Sequence, residues 1–112
     1  MDSPCAEFVR LFNAGRYFEA HEALDGLWRT GNEGERRFFQ GMIQVAGVFI
    51  HLEKRNQTGA WDLYEKAYCN LEGYGPAFRG VPVMEFLEAV AGCLDREDAV
   101  CPFKLSGNPE GQ

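Results

Sequence analysis

Four side chains capable of acid–base or ligand chemistry crowd into one short stretch: Glu19, His21, Glu22 and Asp25. On a helix, His21 and Asp25 stand four residues apart and share a face, while Glu22 lies about 100° round from His21. A carboxylate at that spacing can orient an imidazole or share a ligand with it, and Glu22 and Asp25 can also act as a pair. The order His-Glu-x-x-Asp departs from the His-Glu-x-x-His zinc motif at its second histidine, where Asp25 stands. A second set, Gln40, Gln44, Gly47 and His51, recurs at spacings of four, three and four and forms a polar stripe on an otherwise apolar stretch. Buried amides and imidazoles need hydrogen-bond partners, so this stripe predicts either a polar network or a bound ligand.

Both sets require helices to position them, and helix signals dominate the chain. Ser3 caps a first helix with Pro4 at its first position, and Phe8, Leu11 and Phe12 form its apolar stripe before the turn at Gly15. A second helix runs from about Arg16 to Arg29, with Tyr17, Ala20, Leu24, Leu27 and Trp28 at helical spacing. Asn32 and Glu35 make a capping box for a third helix, which continues to Arg55. Phe39, Met42, Ile43, Ala46, Phe49 and Ile50 wind around that helix, which makes it the central one. Thr58 is the expected cap of a fourth helix bearing Ala60, Tyr64, Ala67 and Leu71. Gly73, Gly75, Pro76, Gly80 and Pro82 form a loop, and a fifth helix follows to about Leu94 with Val83, Phe86, Leu87, Val90 and Leu94 on its buried face. In the tail, Phe103 and Leu105 are the residues placed to pack back on the body. The expected fold is an all-α bundle of about five helices with the third central.

The short connection at 30–33 makes helices two and three antiparallel neighbours. Counted out from it, Asp25 lies level with Gln40, and His21 with Gln44. His51 falls seven residues beyond Gln44, about 10 Å along the axis, towards the Asn13–Gly15 turn. The expectation is therefore that His21 is buried against Gln40 and Gln44, with a carboxylate from Glu22 or Asp25 hydrogen-bonded to it or to those amides.

The totals bound what such a site could serve. The 112 residues are read as one domain, ordered over about 4–94, with a partly irregular tail over 95–112. A formal net charge of -6 with scattered Lys and Arg argues against nucleic acid. No apolar run reaches the ~20 residues needed to span a bilayer, and the opening Met1-Asp2-Ser3-Pro4 does not read as a signal peptide. A cytoplasmic location is expected, and with it free thiols at Cys5, Cys69, Cys93 and Cys101. No Ser or Cys has a base at a set spacing, so nucleophilic catalysis finds no support.

The ordered motifs Asn13-x-Gly15-x-Tyr17-x-Glu19-Ala20-His21-Glu22-x-x-Asp25-x-x-Trp28 and Arg37-x-x-Gln40-Gly41-x-Ile43-Gln44-x-Ala46, with His51, Gly59-Ala60 and Gly80-Val81, resemble the small helical proteins grouped as domain of unknown function 309. The resemblance runs from about Phe8 to Leu94 and implies a compact helical fold. Some members of that family are labelled metal-dependent hydrolases, so it also admits divalent-metal chemistry. The family pattern has Glu where this chain has Asp25. Two readings follow. One is a small-molecule or divalent-metal site, hydrolytic in its strongest form, with His21, Glu22 and Asp25 as catalytic or metal-ligating candidates and Arg37, Gln40, Gln44 and His51 as ligand-binding ones. The other is a non-catalytic protein-interaction module, because Gly15 to Ala20 and Ala60 to Leu71 resemble helices of tetratricopeptide repeats. The corresponding alanines, Ala20 and Ala60, are 40 residues apart rather than the 34 of those repeats. An enclosed polar pocket would favour the first reading and an exposed apolar groove the second.

Overall fold

The apolar stripes become helices in the expected order. The structure, a computed structural model, describes residues 4–30, 33–101 and 104–105. Among these are five α-helices: α1 (Pro4–Asn13), α2 (Tyr17–Thr30), α3 (Glu33–Glu53), α4 (Gln57–Leu71) and α5 (Val83–Arg96), with a 3-10 turn at Glu72–Tyr74. No β-strand occurs among the described residues. Phe78 and Val81 make only an isolated bridge, exchanging backbone hydrogen bonds of 2.9 and 2.8 Å.

Helix boundaries follow local chemistry. After α1, Gly15 takes φ +80°, a conformation glycine adopts without a Cβ clash. α3 stops at Glu53, two residues short of expectation, and the Asn56 N–H turns back to the His51 carbonyl at 2.9 Å. Asn56, and not Thr58, then caps α4: its Oδ1 accepts from the Gly59 N–H at 3.0 Å. Asn and Thr are both good caps, but with Asn56 in that position its oxygen already serves the Gly59 N–H, and Thr58 falls inside the first turn. The expected caps Ser3 and Asn32, and the tail residue Phe103, lie outside the described residues.

α3 is central, packing most extensively against α4 and α2. Phe12 sits amid an aromatic cluster, edge-on to Tyr17, Phe49 and Phe86 at centroid distances of 5.0, 5.7 and 5.4 Å. Val83, Phe86, Leu87, Val90 and Leu94 of α5 are all fully buried, as their spacing predicts. Tail residue Leu105 is 4% exposed. The Asn13 side chain both donates to the Leu105 carbonyl and accepts from its N–H, each at 2.9 Å.

Two glycines of α3 lie against α4, and Gly41 is the tighter of them. A Cβ on Gly41 would lie 2.5 Å from Leu71 Cγ and 2.7 Å from its Cδ2, and one on Gly47 would lie 2.5 Å from Leu63 Cδ2. No larger residue fits at Gly41 without displacing a buried leucine. Gln40, Ile43, Gln44, Gly47, Ile50 and His51 of α3 remain half-buried.

Cys69, Cys93 and Cys101 form no disulfide, Cys69 being exposed and the other two buried; the Cys5 side chain lies outside those described. No helix among the described residues is long and apolar enough to cross a membrane.

Candidate functional site

The close α3–α4 contact brings two polar stripes together. α3 contributes Arg37, Gln40 and Gln44, at spacings of three and four; α4 contributes Asp62, Lys66 and Asn70, each four residues after the last. Such spacings keep each set on one face of its helix. Between the helices lies a cavity of about 520 Å³ lined by Gln40, Gln44, Asp62, Glu65, Lys66, Cys69 and Asn70. Asp62, Glu65, Lys66 and Cys69 are exposed, so it is a surface groove. Its volume falls in the range of small-molecule sites.

One hydrogen-bond chain orders the inner wall. Arg37 Nε donates to Asn70 Oδ1 at 3.1 Å, and Asn70 Nδ2 donates to Gln44 Oε1 at 2.8 Å. A guanidinium can only donate, so Asn70 must turn its oxygen to Arg37 and its NH₂ to Gln44, which answers with its own oxygen. The donor-only end thus fixes both amide orientations. The Gln44 NH₂, the second Asn70 amide hydrogen and the terminal guanidinium nitrogens have no partner among the described residues. Neither ion pair nor hydrogen bond engages the side chains of Asp62, Glu65 or Lys66 among those residues. The groove therefore presents an oriented set of donors at the Arg37–Asn70 end and unpaired charges of both signs along α4.

Three ligand-binding candidates from the sequence, Arg37, Gln40 and Gln44, are thus gathered at this groove, Arg37 through its bond to Asn70. The partner helix differs from expectation: Gln44 bonds to Asn70 of α4 and not to His21 of α2. His51, the fourth, stands at the α3–α4 corner, where its Nδ1 lies 3.2 Å from Asn56 Nδ2 and where a Cβ on Gly59 would come within 3.1 Å of it. It helps to seat the Asn56 cap.

The α2 set does not converge. His21 is half-buried; its ring stacks on the exposed Phe18 at a centroid distance of 6.0 Å, and its buried Nδ1 has no hydrogen-bond partner. Among the described residues no hydrogen bond joins it to Gln40, Gln44, Glu22 or Asp25. Asp25 instead pairs with Arg29 one turn on, at 3.0 Å, and Glu22 is exposed. Glu19 pairs with Arg16, whose hydrogen bond holds the Glu19 carboxyl below its ordinary range. Each carboxylate thus has solvent or an arginine three or four residues away as an alternative to the imidazole. Among the described residues no three His, Cys, Asp or Glu side chains are placed together to hold a metal ion. Trp28 is half-buried against the core, as its spacing suggests, with its Nε1 also lacking a partner.

Comparison with known proteins bears on this geometry. The profile of the family described as Domain of unknown function (DUF309) matches residues 5–63. The chain belongs to this family. The match takes in Arg37, Gln40, Gln44 and Asp62, whereas Glu65, Lys66, Cys69 and Asn70 lie beyond it. A longer similarity links the chain to Uncharacterized protein YpuF of Bacillus subtilis (strain 168), at 28% identity over 102 residues covering 88% of this chain. The chain spans 59% of the length of that relative.

Asn70, missed from the sequence, had a signal in the Asp62–Lys66–Asn70 repeat.

Proposed function

We propose that this chain is a non-catalytic binding protein whose α3–α4 groove takes a small polar molecule. The Arg37–Asn70–Gln44 chain carries the proposal. Side chains held in one orientation with donors left over form a preorganised recognition surface, because the entropy of ordering them is already lost before binding. The lining supports a small polar ligand over an apolar peptide helix: it consists of amides, charges and one thiol. It also supports binding over hydrolysis. The groove holds no histidine, and its thiol, Cys69, makes no hydrogen bond to a neighbouring carboxylate or amine among the described residues.

The test is protein-observed NMR. The side-chain amide resonances of Gln40, Gln44 and Asn70 are followed as small carboxylates, amides, amines and amino acids are titrated in one at a time. Saturable shifts confined to those amides and to α4 are expected, and they should be lost in Asn70→Ala. A set that moves none of them, or moves them equally in Asn70→Ala, would remove the groove as a binding site.

A further inference from the structure

Taking the groove reading as its basis, we infer that the ligand is an elongated zwitterion, a peptide of two or three residues with both termini free. The polarity of the groove is directional. At one end stand Arg37, the Asn70 NH₂ and Gln40, with Lys66 one turn nearer the middle on α4. This is a donor-rich, cationic end, suited to a carboxylate. At the other end stands Asp62, with Glu65 on the outer edge, and neither has a cation paired to it among the described residues. This acceptor-rich end suits an ammonium. Asp62 and Asn70 are eight residues apart on one helix, which is about 12 Å along its axis. An extended tripeptide spans roughly 10 Å between its termini, and side-chain reach closes the difference.

The middle of the groove answers the middle of a peptide. Gln44 Oε1 is committed to Asn70, so its NH₂ is the free end, a donor for a peptide carbonyl. A free amino acid cannot reach both ends, and a dicarboxylate or a diamine leaves one end facing a like charge. An extended strand would add nothing here, because the walls are helices and expose no backbone donors to pair with it. Recognition would rest on the two termini and one carbonyl, which leaves the ligand side chains weakly selected.

The experiment uses the whole chain and four probes: trialanine, N-acetyl-trialanine, trialanine amide and free alanine. Trialanine should shift the Gln40, Gln44 and Asn70 amide resonances saturably. Capping either terminus should weaken binding about tenfold, the scale of one hydrogen bond to a charged group. Arg37→Gln should abolish the preference for the free carboxylate, and Asp62→Asn the preference for the free amine, each leaving the other intact. Both residues are exposed, and an unchanged helical circular dichroism spectrum establishes that each variant is folded. If capped and uncapped peptides bind alike, or if alanine binds as well as trialanine, the zwitterion inference falls while the groove reading stands. If only small carboxylates or amides shift the groove resonances, the peptide class is likewise wrong. If no probe shifts them and the wider set used for the groove also fails, both readings fall.

Discussion

Replacing Gly41 by alanine sets two effects of known sign against each other. Inside an exposed helix the change gains roughly 1 kcal/mol, because alanine loses less backbone entropy on folding. At Gly41 the new methyl would lie 2.5 Å from Leu71 Cγ, 2.7 Å from Cδ2 and 3.2 Å from Asn70 Cβ. Leu71 is fully buried, and Cγ is its branch point, so relief requires moving the whole side chain or separating α3 from α4. Overpacking of this kind costs about 1–3 kcal/mol. A branch carbon in a closed core belongs in the upper half of that range, which leaves a net loss of about 1–2 kcal/mol. Gly26 and Gly47 provide the controls. Nothing lies within 4 Å of a Cβ on exposed Gly26, so Gly26→Ala should stabilise by up to about 1 kcal/mol. A Cβ on Gly47 meets chiefly Cδ2 of half-buried Leu63, a methyl at the end of a side chain that can rotate, so Gly47→Ala should change stability little. Urea unfolding monitored by circular dichroism gives all three, read as shifts in midpoint at constant m. The expected order of stability is Gly26→Ala, wild type with Gly47→Ala, then Gly41→Ala. A Gly41→Ala variant as stable as wild type would refute the argument that this glycine sets the helix spacing.

Two further outcomes concern the thiols. Iodoacetamide on the native protein should label Cys69 and spare Cys93 and Cys101, with both becoming reactive in urea; mass spectrometry counts the adducts, and native labelling of Cys93 would contradict its burial. Burial, with the neighbouring Cys101 thiol, pushes the Cys93 thiol from an ordinary value near 9 up to about 12. The unfolded chain therefore releases this proton at lower pH than the native one, so stability is fully present below pH 9 and falls as pH rises towards 12. The slope is at most about 1.4 kcal/mol per pH unit from this group. Urea midpoints at mildly and strongly alkaline pH should fall, less steeply in Cys93→Ala, and a flat profile would count against the shift.

Much of the architecture was legible because burial imposes periodicity. Phe8, Leu11, Phe12, Tyr17, Ala20 and Leu24 lie at helical spacing, and each is buried. The stripe at Gln40, Gln44 and His51 was legible for the same reason: polar residues on an apolar helix mark a face that is not closed core. Its neighbour was not legible. Periodicity defines a face but not which helix lies across from it, and α3 has an antiparallel partner on either side, each joined by a short turn. α4 comes close on this face because Gly41 has no side chain to meet Leu71, and Gly41 carried no signal of that role in the sequence. The acidic cluster on α2 failed for a different reason. Spacing places Asp25 beside His21, but it places Arg29 beside Asp25 equally well, and the ion pair forms with the arginine.

The Asn13 amide clasp on Leu105 has a consequence for the order in which the protein is made. Its two partners lie 92 residues apart in sequence. At roughly 5–20 residues per second, the ribosome delivers Leu105 some 5–20 s after Asn13. Throughout that interval α1 and α2 can form their hairpin, but the carboxamide at its tip has only water to bond. The first turn built is thus among the last to be completed, and a nascent chain halted before the tail emerges would carry its helices with this corner unlatched.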